Sequence, residues 1–201
     1  MFSLKAGGMR RSLSIPLFAA ALSVAGAPMA RAAEVFDLDP ARSSITFTIG
    51  VLGLSHRNGR FGDVAGALAR TAGRPQDDQV MVEIRAASVE CGSPGCDQLV
   101  AGPHFFDAAR FPVVSFQSRK VTATGDVIRV AGDLTLHGVT RAVILTAQRR
   151  SPEPAPADGG PLAFTASTTV RRSDFNMSSY RLAVGDFVTL TIRATFVPHL
   201  Q

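Results

Sequence analysis

Val188-Thr189-Leu190-Thr191-Ile192-Arg193-Ala194-Thr195-Phe196 alternates without a break between apolar and polar side chains. Neighbouring side chains of an extended chain point to opposite faces, so this period puts Val188, Leu190, Ile192, Ala194 and Phe196 on one side and the threonines with Arg193 on the other. The segment reads as a strand buried on one face. The same period recurs upstream. Ile45, Phe47, Ile49 and Val51 alternate with Thr46, Thr48 and Gly50; Val80, Val82, Ile84 and Ala86 alternate with Met81, Glu83 and Arg85. Ile128, Val130, Leu134 and Leu136 share a face opposite Arg129, Asp133 and Thr135.

Turn signals separate these runs. Asn58-Gly59 is a two-residue hairpin signature, because both positions of a type I′ turn need positive φ, and His137-Gly138 is placed in the same way. Ser151 to Pro161 is rich in Pro, Ala and Gly and reads as a loose connection. The segments give strands near residues 44–56, 60–70, 79–89, 112–120, 126–136, 141–149, 162–172 and 186–197, and only 97–110 has partly helical character. Eight antiparallel strands with one short helix can close into a barrel, which removes exposed edges. An open β-sandwich satisfies the same alternation. The expected class is all-β.

The N-terminus has the layout of an export signal. Lys5, Arg10 and Arg11 precede an apolar stretch from Leu13 to Ala27, and Ala30-Arg31-Ala32-Ala33 offers small residues for cleavage after Ala32 or Ala33. Arg10-Arg11-Ser12-Leu13 is also a fragment of a twin-arginine signal. The reading is a cleaved signal peptide over 1–33, a single domain over 34–201 and a periplasmic destination. Lys5, Arg10, Arg11 and Arg31 leave with the signal, so 21 basic against 16 acidic residues becomes 17 against 16. That balance gives little support for the basic stripe a nucleic-acid surface requires. Cys91 and Cys96 share one Gly/Pro-rich loop. In an oxidising compartment they are expected as a disulfide, with a redox-active pair as the alternative.

Catalytic patterns do not assemble. His56, His104, His137 and His199 have no metal-ligand spacing, and there is no nucleophile elbow, phosphate loop or dinucleotide fingerprint. The sequence nominates no catalytic residue, no metal and no cofactor. Its aromatic set, thirteen Phe with one Tyr and no Trp, suits apolar space, because Phe lines a cavity without demanding a hydrogen-bond partner. The inward set Phe47, Ile49, Val82, Ile84, Phe116, Leu134, Phe164, Val188 and Leu190 either fills a core or lines a tunnel. Phe105 and Phe106 are placed to close one end of it.

Several ordered blocks carry a resemblance to a known family. They are Phe36-Asp37-Leu38-Asp39-Pro40 with Ser43 to Phe47; Leu52-Gly53-Leu54-Ser55 and Gly59-Arg60-Phe61; and Phe105-Phe106-Asp107 with Phe111-Pro112 and Ser115 to Ser118. Gly132 to Thr140 and Arg172-Ser173-Asp174-Phe175-Asn176-Met177 complete the set. In this order they resemble the YceI-like family of exported polyisoprenoid-binding proteins. The chain departs from that pattern at Arg42, Val51 and Asp97 to Ala101, where the family often carries histidines or an Asp-x-His-Leu-Arg stretch. The resemblance implies a lipocalin-like eight-stranded antiparallel barrel whose tunnel holds an isoprenoid or other long-chain lipid, such as a quinone tail or polyprenyl phosphate. The expected function is therefore a non-enzymatic lipid carrier or sequestering protein, as a monomer or homodimer with transient membrane contact. Enzymatic action on a lipid, or a solid-core interaction protein, is the competing reading. Arg57, Arg60, Arg172 and Tyr180 are the head-group candidates, with Arg171 and Arg181 nearby.

Overall fold

The computed structural model describes residues 33–71, 73–151 and 160–199. Residues 1–32 of the proposed signal peptide lie outside them. Eleven strands and one helix follow in order. They are β1 (Glu34–Leu38), β2 (Ser44–Val51), β3 (Ser55–Phe61), β4 (Val64–Arg70), β5 (Gln79–Arg85), β6 (Val89–Glu90), α1 (Pro94–Ala101), β7 (Val113–Thr124), β8 (Val127–Leu136), β9 (Val139–Arg149), β10 (Leu162–Arg171) and β11 (Val184–Pro198).

All the pairings are antiparallel, and the ring β1-β4-β5-β7-β8-β9-β10-β11 closes because β11 returns to β1, with Phe36 opposite Pro198 and Leu38 opposite Phe196. Six of the strands combine into three long bent ones. β1 and β2 are one strand kinked at Pro40, where Asp39 accepts the backbone N–H groups of Ala41 (2.9 Å) and Arg42 (3.2 Å). β3 and β4 are interrupted only by Gly62 and Asp63, and β5 and β6 by a 3₁₀ turn over Ala86–Ser88. With β2 paired to β3 and β3 to β6, the molecule is an eight-stranded antiparallel barrel carrying one helix. The open sandwich is excluded by the β1–β11 pairing.

Strand β1 has five residues and no turn signal before it, and the sequence reading missed it. A second difference concerns the first hairpin. Asn58-Gly59 lies inside β3, with Thr48 opposite Asn58 and Phe47 opposite Gly59. The reversal is at Leu52 and Gly53, both at positive φ (53° and 67°). Gly59 is needed for space instead: a Cβ there would overlap the ring of Phe47. His137-Gly138 does form the expected tight turn, with φ of 51° and 72° between paired Leu136 and Val139.

Alternation sorts the side chains as the period-two pattern requires. Thr189, Thr191 and Arg193 face outward, and their apolar neighbours turn inward. Two buried clusters form the interior. One is built on Phe116, Leu134, Leu136, Phe175 and Met177, the other on Phe36, Ile45, Phe47, Phe61, Leu162 and Phe196.

Candidate ligand cavity

Between these clusters the barrel holds a cavity of about 580 Å³, within the size range of small-molecule sites. Its wall is continuous and apolar. Val80, Val82 and Ile84 come from β5, Phe116 and Val121 from β7, Ile128, Val130 and Leu134 from β8, Val143, Leu145 and Ala147 from β9, and Phe164 and Ala166 from β10. β11 adds Leu190, Ile192, Ala194 and Phe196. Thr168 is a polar group set within that wall.

Six of the residues named from sequence line the cavity: Val82, Ile84, Phe116, Leu134, Phe164 and Leu190. The others have different surroundings. Phe47 packs on Phe61 (5.8 Å between centroids), and Phe61 in turn meets Phe106 edge-on at 5.5 Å. Phe106 and Val188 pack against both clusters, so they seal the end near α1. Ile49 pairs with Arg57 and Val188 and is not part of the cavity lining. Phe105 is turned away from the interior and stacks on Tyr180 at 5.7 Å.

Polar residues gather at the opposite end, formed by the β4–β5 and β7–β8 connections and the close of β9. Arg70, Thr71, Asp78, Asp126, Arg149 and Ser151 line the cavity there. Asp78 accepts the backbone N–H of Thr71 at 3.0 Å. Burial pushes its carboxyl above the usual range, partly offset by that bond and by Arg70 and Arg149. The guanidinium of Arg149 lies over the ring of Phe164, 5.7 Å from its centroid. Sequence reasoning overlooked these residues, although a signal was present. Arg70 continues the inward phase of Leu68, and Arg149 that of Val143, Leu145 and Ala147. An arginine in the inward phase at a strand end marks a mouth.

The head-group candidates named from sequence stand elsewhere. Arg57 is exposed at the start of β3, and Arg60 pairs with Glu90 (2.7 Å) on the surface. Arg172 is drawn into the fold. It is only 3% exposed, and its guanidinium donates to the carbonyls of Met177 (2.6 Å), Val184 (2.8 Å) and Gly185 (2.8 Å). Three of its five N–H donors are thus committed to backbone, and Arg172 pins the segment that precedes β11. A disulfide joins Cys91, ahead of α1, to Cys96 in the first turn of the helix. Among the described residues no cluster of three metal-ligating side chains occurs.

The family profile for the YceI-like domain matches residues 36–196, the whole barrel. The chain belongs to the YceI-like family. Among curated relatives, this YceI-like chain is 31% identical over 170 residues to a UPF0312 protein of Pseudomonas savastanoi pv. phaseolicola, covering 84% of this chain and 88% of that one. It is 32% identical over 173 residues to a UPF0312 protein of Pseudomonas fluorescens, covering 83% and 87%. Solved structures share the fold. BcnA of Burkholderia cenocepacia superposes with a TM-score of 0.71 at 21% identity, over 79% of this chain and 98% of that one. A polyisoprenoid-binding domain from Saccharophagus degradans gives 0.62 at 17% identity, over 82% and 98%. YceI-like proteins form a binding family, and the barrel with its apolar cavity fits that class.

Proposed function

We propose that this YceI-like protein is an exported, periplasmic carrier or sequestering protein that holds the tail of a long isoprenoid lipid, and that it is not an enzyme. The observation that carries the reading is the continuous apolar cavity with its charged residues confined to one end. Apolar burial drives a hydrocarbon tail inward at about 0.8 kcal/mol per CH₂, enough to outlast the costs of ordering it. The name of the Saccharophagus degradans neighbour points to the same ligand class. At the mouth Arg70 and Arg149 line the cavity together with Asp78 and Asp126. That balance of charge favours a neutral, carbonyl-bearing head such as a quinone over a diphosphate, because a multiply charged head would need an excess of cations.

Organic extraction of natively purified protein followed by mass spectrometry tests this. An isoprenoid lipid in near-stoichiometric amount is the expected result, and a protein that purifies empty and takes up no added isoprenoid overturns it. Intact mass of the exported protein checks the leader: cleavage after Ala32 or Ala33 is expected, and a mature chain still carrying Arg10 and Arg11 counts against it.

A further inference from the structure

The end of the barrel opposite the mouth carries an apolar tip that the lipid cavity does not use. Leu54 in the β2–β3 turn is 94% exposed and Leu52 is 67% exposed, while Leu182, before β11, is 100% exposed. The two loops lie side by side, tied by a bond from the Leu52 N–H to the Ala183 carbonyl at 2.8 Å. Tyr180, half exposed, stands on the flank of the second loop, held by stacking on Phe105 and by the edge contact with His104. Isolated exposed leucines are ordinary; several on adjoining loop tips are not.

Charge says what should cover this tip. Residues 52–60 contain His56, Arg57 and Arg60, residues 176–184 contain Arg181, and neither stretch has an acidic residue. Arg60 is engaged by Glu90, whereas Arg57 and Arg181 are exposed beside the leucines. Leucines that enter acyl chains, a tyrosine at headgroup level and cations that meet lipid phosphates are the elements of interfacial membrane attachment. The geometry points to a membrane-docking end: the β2–β3 turn and the Tyr180–Ala183 loop insert together into an anionic lipid surface, leaving the cavity mouth facing the aqueous side.

Protein recovered by osmotic shock from cells expressing the full chain is floated with vesicles of phosphatidylglycerol and phosphatidylethanolamine, and with phosphatidylcholine vesicles as the neutral case. Wild type is expected to float with the anionic vesicles, less with the neutral ones, and less again as salt is raised. The double variant Leu54→Ser/Leu182→Ser should lose about tenfold or more of its partition while keeping its melting temperature, since both side chains are already in water. Arg57→Gln/Arg181→Gln should abolish the preference for anionic lipid. Ile144→Ser, on the exposed outer face of β9, should bind as wild type does. The proposal is overturned if wild type floats with neither vesicle, if the leucine variant binds undiminished, or if Ile144→Ser loses as much. It is overturned too if wild type is a dimer that the leucine variant dissociates, which would assign the tip to a second copy. Co-purifying lipid is read separately, so loss of either result leaves the other standing.

Discussion

Replacing Arg172 with leucine leaves the carbonyls of Met177, Val184 and Gly185 without their donor, the first of them buried and the other two partly so. The expected cost is about 2–4 kcal/mol in urea unfolding. Lysine should recover only part of it, since an ammonium does not span three fixed acceptors as a guanidinium does. Lipid content of the folded fraction should not change; a selective loss of lipid with normal stability would return Arg172 to the head-group role. Two carboxylates should give opposite slopes against pH. Asp186 is held below the ordinary value of 3.8, chiefly by the hydroxyl of Ser173. Its contribution is present above that value and is lost as pH falls through the lowered one. Asp186→Asn should therefore melt lower than wild type at neutral pH, with the gap closing in acid. Asp78 is held above 3.8 by burial, so its ionised form costs stability at neutral pH and the cost fades as pH falls through the raised value. Asp78→Asn keeps an acceptor for Thr71 and should melt higher than wild type at neutral pH. Melting temperatures of both variants across the acid range check the two signs.

At the scale of elements, the disulfide closes a short loop that runs into the first turn of α1, whose start is also fixed by Ser93 capping Cys96 and by Asp97 accepting the Cys91 N–H at 2.6 Å. For so short a loop the chain-entropy account gives about 2 kcal/mol. Cys91→Ser/Cys96→Ser should lose that much and no lipid, and undiminished stability in urea unfolding would count against a structural role for the bond. The strands were the legible part of this sequence, because each one-sided wall imposes the period of two on Ile45, Val82, Leu134 or Leu190 independently of the rest. The first turn was not. Asn-Gly is a good local signal, but Phe47 needs the empty face of Gly59 to lay its ring across the strands. That tertiary demand keeps Asn58-Gly59 extended and moves the reversal to Leu52-Gly53, where a leucine accepts positive φ. Partial helical character was read over 97–110, and the helix occupies Pro94–Ala101, three residues earlier at its start because Pro94 follows the Ser93 cap.

For the molecule as a whole, periodicity says which side chains face inward but not whether they meet or leave room. Phe47 and Phe116 have the same signature; one fills the core beside Phe61 and the other lines the cavity. The same holds for the arginines: Arg57 and Arg149 both stand at strand ends, and only the closed barrel shows that Arg149 lines the cavity while Arg57 is exposed. Adding bulk tests the room directly. Leu134→Phe or Ile84→Phe places extra carbon in the cavity, so each should cost less than the usual 1–3 kcal/mol of overpacking and still expel co-purifying lipid. Melting temperature and lipid content measured on the same preparations decide this. Unchanged lipid content in a variant shown to narrow the cavity would sink the tail-binding reading.

The pairing of β1 with β11 has a kinetic consequence. Phe36 meets Pro198 and Leu38 meets Phe196 across nearly the full described chain, so the contact that completes the ring spans the largest loop and pays the most entropy before it forms. Barrels of such non-local register fold in milliseconds to seconds, with closure late on the route. Until Phe196 and its neighbours arrive, the space beside Phe164 and Ile45 has no wall, and a hydrocarbon tail has nothing to hold it. Bound lipid should then act as a clasp on an already shut ring. Stopped-flow measurements should find unfolding slowed by the ligand and the refolding rate unaltered; faster refolding in its presence would mean that the chain gathers around the lipid before the ring is shut.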